Sequence, residues 1–260
     1  MATLKKLPRY LYVGWACTWF IIFMFLVVPF VMIASLWGKI KGGNFVYKLL
    51  QIWADLWFPI AGLRTKNIYE EKLDKKQQFV FVCNHISFLD AAFIIDAIRQ
   101  PFRPLGKIEI QRVPVFGIIY KVVVVVVDRS SSENRAKSMR DLKDVIKKGI
   151  SILIFPEGTF NETTNPLKDC YDGAFRLAIE TQTPIKPMIF LDTYDRMRYE
   201  HLGTMNPGKC RAVFLHTIPV EGLTVKDVPK LKQQVLSVME SKLREYKASW
   251  IHEEIPVVMD

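Results

Sequence analysis

The sequence predicts an α/β domain, a mostly parallel sheet flanked by helices, with an N-terminal hydrophobic helical membrane anchor. Three observations predict it. Apolar runs rich in β-formers recur at residues 79–83, 122–127 and 150–155, stretches of helical length separate them, and residues 10–38 contain no charge. A strand apolar on both faces is what a parallel sheet between two helical layers requires. With 260 residues, 50% of them hydrophobic, the chain can bury a large core and is not disordered. Its net charge of +10 suits an anionic membrane surface or a phosphorylated substrate. Nucleic acid is the third anionic partner, but no nucleic-acid-binding motif is present, so none is expected. Cys17, Cys83, Cys170 and Cys210 have no paired spacing, so no disulfide framework, no metal site and a reducing, cytosol-facing location are expected.

The charge-free segment, with Trp15, Trp19, Phe20, Phe23, Phe25, Phe30 and Trp37, exceeds the ~20 residues that cross a bilayer. Pro29 interrupts it, and Lys5, Lys6 and Arg9 before it face Lys39 and Lys41 after it, which leaves a kinked span and a helix dipping into one leaflet both open. Residues 44–63 read as an amphipathic helix with Phe45, Leu49, Ile52, Trp53, Leu56 and Ile60 on one side, either interfacial or core-packing. We therefore place an anchor at 1–63 and a catalytic domain at 64–260.

Within that domain, residues 79–83 read as a strand, followed by a short helix beginning near residue 88. A turn falls at 114–117. The six valines of 122–127 read as a strand buried on both faces, and Ser130 to Ser132 cap a helix that runs to Lys148 and stops at Gly149. Residues 150–155 form another buried strand, 174–181 a helix, 185–191 and 211–217 strands, and 228–247 a terminal amphipathic helix.

His85, Arg129 and Glu157 each follow an expected strand, so a parallel sheet brings them to one edge, where open α/β sheets bind ligands. His85 with Asp90 five residues on suits a base with an orienting carboxylate. Ser87 and Asp90 equally read as a capping box that ties up backbone N–H groups. Ser87 lacks the G-x-S-x-G elbow of a serine nucleophile.

Asn84-His85-Ile86-Ser87-Phe88-Leu89-Asp90 and Phe155-Pro156-Glu157-Gly158-Thr159 resemble the N-H-x4-D and F-P-E-G-T motifs of the lysophosphatidic acid acyltransferase family, the 1-acylglycerol-3-phosphate acyltransferases. Lys107, Glu109, Pro114, Gly117 and Arg129 look like that family's second block, and residues 183–187 like its fourth. The resemblance implies transfer of an acyl chain from a coenzyme A or acyl-carrier-protein thioester to the sn-2 hydroxyl of lysophosphatidate, drawn from a membrane, with no resident cofactor. It implies His85 as base, Asp90 as its orienter, Lys107 or backbone N–H groups near Gly158 as oxyanion donors, Arg129 as the phosphate clamp, and Asn84, Glu157, Gly158 and Thr159 as substrate-binding residues. Glu157 is expected to orient rather than to meet the phosphate, which would repel it.

Two positions depart from the family's pattern. Phe160 stands where Arg often follows the F-P-E-G-T run, and Tyr171 where a Lys is common. Lys168, Arg176 and Lys186 are candidates to restore the missing charge. Another lysolipid or an amine-bearing lipid therefore stays open as acceptor. A hydrolase built on the same His–Asp pair and a non-catalytic lipid-binding adaptor are the rival functions.

Overall fold

The computed structural model describes residues 7–128 and 130–252. The chain opens with two long antiparallel helices, α1 (Leu7–Ser35) and α2 (Gly38–Ile60). Pro29 lies within α1 and does not end it. The helices interlock through rings and backbone carbonyls. Trp57 Nε1 donates to Ala16 O at 2.9 Å, Tyr12 OH to Ala61 O at 2.7 Å, and Phe20 meets Trp53 and Trp57 edge-on. Gly42 is required at their tightest approach, because a Cβ there would lie 2.0 Å from Ala34 O.

The second helix buries a different face from the stripe read from the sequence, of which only Trp53 is buried. Val46, Tyr47, Leu50, Ala54, Trp57 and Phe58 are buried, whereas Phe45, Ile52 and Leu56 remain exposed. Along its length it lies against the domain. Arg103 Nη2 donates to Lys39 O and to Asn44 Oδ1, the ring of Tyr47 packs on Phe102 with centroids 4.6 Å apart, Gln51 Nε2 donates to Ile98 O, and Arg99 pairs with Asp55. Apart from Trp53 the sequence stripe followed the face that stays exposed or half-buried, because Val46, Tyr47, Leu50, Trp57 and Phe58 find their partners only in the tertiary structure.

Beyond it come β1 (Leu63–Tyr69), β2 (Val80–Cys83), α3 (Asp90–Ala97), β3 (Phe102–Lys107), α4 (Phe116–Val123), β4 (Val125–Val127), α5 (Ser132–Lys147), β5 (Ser151–Ile154), α6 (Gly173–Thr181), β6 (Ile185–Phe190), α7 (Thr193–Arg196), β7 (Gly208–Phe214) and α8 (Val228–Glu245). The strands form one seven-stranded sheet in the order β1-β7-β6-β2-β5-β3-β4. Five run parallel; β7 is antiparallel to β6 and β1 pairs parallel with β7, so two strands at one side run the other way. The sheet is mixed but mostly parallel, as expected.

Alternation along each strand builds two cores. In β2 and the residue before it, Phe79, Phe81 and Cys83 face the hairpin of α1 and α2 together with α3 and α4, while Val80 and Val82 face α5, α6 and α8. Both faces are covered, which is why the run is apolar without a break. Ser131 Oγ accepts from Asn134 N at 3.1 Å and caps α5, as the serine run predicts.

Two sequence expectations change. The valine run is not one central strand. Val122 and Val123 end α4, and only Val125–Val127 pair, half-buried, at the sheet's edge. Tyr120 OH donates to Lys107 O, and Tyr47 OH to Val123 O, so packing holds these residues helical against their β-branched preference. The strand β1 was not read at all, because an edge strand of sequence Leu-Arg-Thr-Lys-Asn-Ile-Tyr lacks an apolar run. The boundary placed near Arg64 falls at its start.

Candidate active site

The loop between β2 and α3 carries His85, and the loop after β5 carries Glu157. The two strands are neighbours and parallel, so both loops leave the same edge. Asp90 is fully buried at the start of α3. Its Oδ2 accepts from Ile86 N (2.8 Å), from Ser87 N (2.9 Å) and from His85 Nδ1 (2.8 Å). Capping and orienting are thus one arrangement: the carboxylate that ties up the turn's N–H groups also fixes the imidazole. Hydrogen bonds to an ionised acceptor are worth about 1.5–3 kcal/mol each, so the turn and the ring are held firmly. With Nδ1 bound to Asp90, Nε2 is the ring nitrogen left to meet a substrate, and the side chain keeps 18% of its surface exposed.

Two aromatic rings hold the imidazole on its faces. Phe155 stacks at 4.2 Å between centroids, 16° from parallel, and Phe160 packs at 4.4 Å and 54°. Phe160 continues to Phe88 at 4.8 Å and to Tyr199 at 6.3 Å. The wall beside the base is therefore apolar at the position that departs from the family pattern.

Glu157 is 2% exposed, and among the described residues its carboxylate oxygens accept from backbone N–H groups. Its Oε1 accepts from His85 N at 2.8 Å and its Oε2 from Lys168 N at 3.1 Å. Asn161 N adds a bond to His85 O at 2.7 Å. The loop after β5 thus grips the backbone of His85 from both sides. Burial pushes the Glu157 carboxyl up to about 7, against the pull of the two N–H donors and with further upward push from Asp90. The orienting expectation for Glu157 matches this geometry; a direct substrate contact does not, since the carboxylate faces the protein.

Asn84 is also reassigned. It is fully buried, its Nδ2 donates to Phe190 O and its Oδ1 accepts from Phe190 N at 2.8 Å. Its amide locks the end of β2 to the end of β6 and is not open to a ligand. Gly158 has φ +72°, which only glycine adopts without strain, and its N–H donates to Phe155 O at 3.1 Å. That N–H is occupied; those of Thr159 and Phe160 have no acceptor among the described residues. Thr159 is exposed, and its hydroxyl accepts from Lys168 Nζ at 2.9 Å.

Lys107 ends β3, one strand beyond β5, with its side chain exposed on the same edge. Arg129 lies outside the described residues. Lys186 is a correction: it is fully buried near the start of β6, opposite Phe81, and its Nζ bonds Glu71 Oε1 at 2.5 Å. Four residues of strand rise, roughly 13 Å, separate that level from His85. Arg176 pairs with Glu180 on its own helix. Ser87 is buried, accepting from Leu89 N and donating to Met197 O, so no nucleophile is presented there. The sequence reading missed the stacking of Phe155 and the backbone clamp of Asn161. The first had a signal in the aromatic ending a buried strand, the second none.

An imidazole fixed by a buried carboxylate at the carboxyl edge of such a sheet, with the F-P-E-G-T loop clamping its backbone, defines the N-H-x4-D class of acyl-transfer enzymes. An acyltransferase family model matches residues 65–191. The chain is 31% identical to an uncharacterized acyltransferase of Schizosaccharomyces pombe over 94% of its own length and 88% of that protein, and therefore belongs to the acyltransferase family. It is 23% identical to human 1-acyl-sn-glycerol-3-phosphate acyltransferase alpha over 89% of this chain and 92% of that one. The Haemophilus influenzae 1-acyl-sn-glycerol-3-phosphate acyltransferase is 26% identical over 74% and 80% respectively. In fold it is similar to the crystal structure of the 1-acyl-sn-glycerophosphate acyltransferase PlsC of Thermotoga maritima, with a TM-score of 0.74 over 97% of this chain and 100% of that one at 20% identity.

Proposed function

We propose that the chain transfers an acyl group from a coenzyme A or acyl-carrier-protein thioester to the sn-2 hydroxyl of lysophosphatidate, yielding phosphatidate. The observation that carries this reading is the 2.8 Å bond between His85 Nδ1 and Asp90 Oδ2, which leaves Nε2 for the hydroxyl proton. As the hydroxyl oxygen attacks the thioester carbonyl, His85 takes its proton and the buried Asp90 stabilises the imidazolium. Collapse of the tetrahedral intermediate then expels the thiolate, which recovers that proton. General base catalysis of this kind contributes roughly 10² to 10⁴-fold. The acyl group passes directly between substrates, and the thioester is itself a substrate, so no resident cofactor is required.

The developing oxyanion needs donors, each worth about 3 kcal/mol when well placed. The free N–H groups of Thr159 and Phe160 and the exposed ammonium of Lys107 are the candidates that line this edge. Arg129, outside the described residues, is the sequence's candidate for the acceptor phosphate.

Membrane association is supported by α1, which is long and apolar enough to cross a bilayer, and by its exposed Leu11, Trp15, Phe25, Leu26 and Phe30. Because α2 packs lengthwise against the domain and α1 against α2, a vertical span would carry the catalytic domain into the hydrocarbon with it. The hairpin reads better as an anchor embedded in one leaflet, with the domain at the interface and facing the cytoplasm. The anchor comprises residues 1–63 in this proposal.

The test is transfer from radiolabelled palmitoyl-coenzyme A to lysophosphatidate in mixed micelles, with the His85→Ala variant alongside. Labelled phosphatidate that disappears in the variant supports the reading. Labelled free fatty acid in its place would establish the hydrolase, and equal product from both proteins would remove His85 from the chemistry.

A further inference from the structure

The acyl-transfer reading leaves the acceptor's phosphate in need of a cation within a glycerol arm's length of His85. Among the described residues, the positions nearest the imidazole do not supply one. Phe155 and Phe160 cover its faces, and Phe88 and Tyr199 extend the apolar wall. Lys186 and Arg176 are committed elsewhere, to Glu71 and Glu180.

We propose that Lys168 grips the acceptor's phosphate together with the hydroxyl of Thr159, alongside the sequence's candidate Arg129, which lies outside the described residues. The inference rests on the reading above and names the specificity residue of that same site. Lys168 is placed by two bonds. Its backbone N–H donates to Glu157 Oε2 at 3.1 Å, and the other oxygen of that carboxylate accepts from His85 N at 2.8 Å. One buried carboxylate therefore holds the base and the lysine at a set separation. The ammonium lies 2.9 Å from Thr159 Oγ1, on the exposed rim of the turn that follows β5.

Chemistry favours an anion here. Among the described residues no carboxylate lies within ion-pairing distance of Lys168, whereas Lys143, Lys186, Lys232 and Lys242 each have one. An ammonium carries three donors, and Thr159 accepts only one. Having accepted from Lys168, the Thr159 hydroxyl keeps its own proton, whose present contact with Phe160 O is long at 3.5 Å. The Thr159 N–H is also without an acceptor among the described residues. Three kinds of donor belong to this turn, next to the apolar wall that Phe160 begins, which fits a phosphate at one end and a hydrocarbon chain at the other. Lys107 shares the sheet edge, but among the described residues its ammonium has no hydrogen bond to hold it there.

The experiment has two arms on the full chain in detergent micelles. In the first, binding of sn-glycerol 3-phosphate is measured by titration calorimetry for the wild type, Lys168→Met and Lys168→Arg. We expect Lys168→Met to weaken binding by about 10- to 100-fold, the loss of one charge-assisted contact, and Lys168→Arg to restore most of it. In the second, Lys168→Met raises the KM for lysophosphatidate by a similar factor while kcat and the KM for palmitoyl-coenzyme A stay unchanged. Equal binding by wild type and Lys168→Met would overturn the assignment even if transfer continues. A fall in kcat with a rise in both KM values, unrelieved by Lys168→Arg, would show that Lys168 only braces the turn, and would overturn it too. A wild type that binds glycerol phosphate through Lys168 but transfers no acyl chain would uphold the anion site and overturn the acyl-transfer reading instead.

Discussion

The two ends of this sheet each hold a glutamate, and they are treated in opposite ways. At the carboxyl edge of β2 and β5, Glu157 is buried, meets only backbone N–H groups, and is pushed up to about 7. At the opposite edge, burial also pushes Glu71 upward, but Lys186 and the hydroxyl and N–H of Thr217 outweigh it and bring the carboxyl down to about 2. The first carboxylate positions the loop that carries His85, and the second closes the strand ends with an ion pair. The contrast teaches that charge compensation is complete where the sheet is only being sealed. It is withheld where the chain presents His85.

The largest effect should come from the dyad itself. Asp90→Asn can keep an oxygen for the three donors that meet at Oδ2 but removes the negative charge that stabilises the imidazolium, so turnover should fall on the order of 10³- to 10⁴-fold with the helical signal retained and the melting temperature lowered by the weakened bonds to the turn. A variant of near-normal activity, measured by steady-state transfer, would show that Asp90 serves only the turn.

Next, Glu157→Gln sets an amide donor against either His85 N or Lys168 N and should lower turnover by roughly 10- to 100-fold through loss of His85 placement. It also tests the contrast by pH. The folded chain keeps the Glu157 proton up to about 7, while the unfolded chain loses it near the ordinary 4.5. This group's contribution is therefore fully present below pH 4.5 and is lost as pH rises to 7, up to ~3 kcal/mol. Denaturant melts of wild type and Glu157→Gln should diverge across that window; parallel curves would mean that the carboxyl is ionised throughout.

Glu71 has the opposite sign. Its depressed pKa contributes stability above pH 4.5 that disappears as pH falls toward 2. Lys186→Met removes the fully buried cation and should cost about 2–3 kcal/mol, with turnover per folded molecule unchanged. Loss of activity without loss of stability would place Lys186 back among the substrate residues. The smallest effect belongs to the hairpin: Ile52→Ser on the exposed face should weaken liposome binding several-fold, by about 1–2 kcal/mol, and leave the melting temperature in place.

Much of this layout was legible in advance. The runs at 79–83 and 150–155 are apolar on both faces because helices cover both faces, and that pattern alone placed His85 and Glu157 at one edge. Tertiary satisfaction hid the rest. The valine run read as a central strand although its first half closes α4, and β1 went unread because its pairing partner is β7, far along the chain. Lys186 looked like a substrate cation until Glu71 appeared beside it.

By itself, then, the sequence determined the sheet class, the edge on which His85 and Glu157 stand and the pairing of His85 with Asp90. Each of these depends on short-range periodicity or on residues within one turn. Only the tertiary structure decided that Asn84 and Glu157 face backbone, that Phe155 stacks on the imidazole with Phe160 tilted against it, and that Lys168 stands beside Thr159. Those placements arise from loops meeting across neighbouring strands. No local pattern encodes which loop a buried carboxylate will bind.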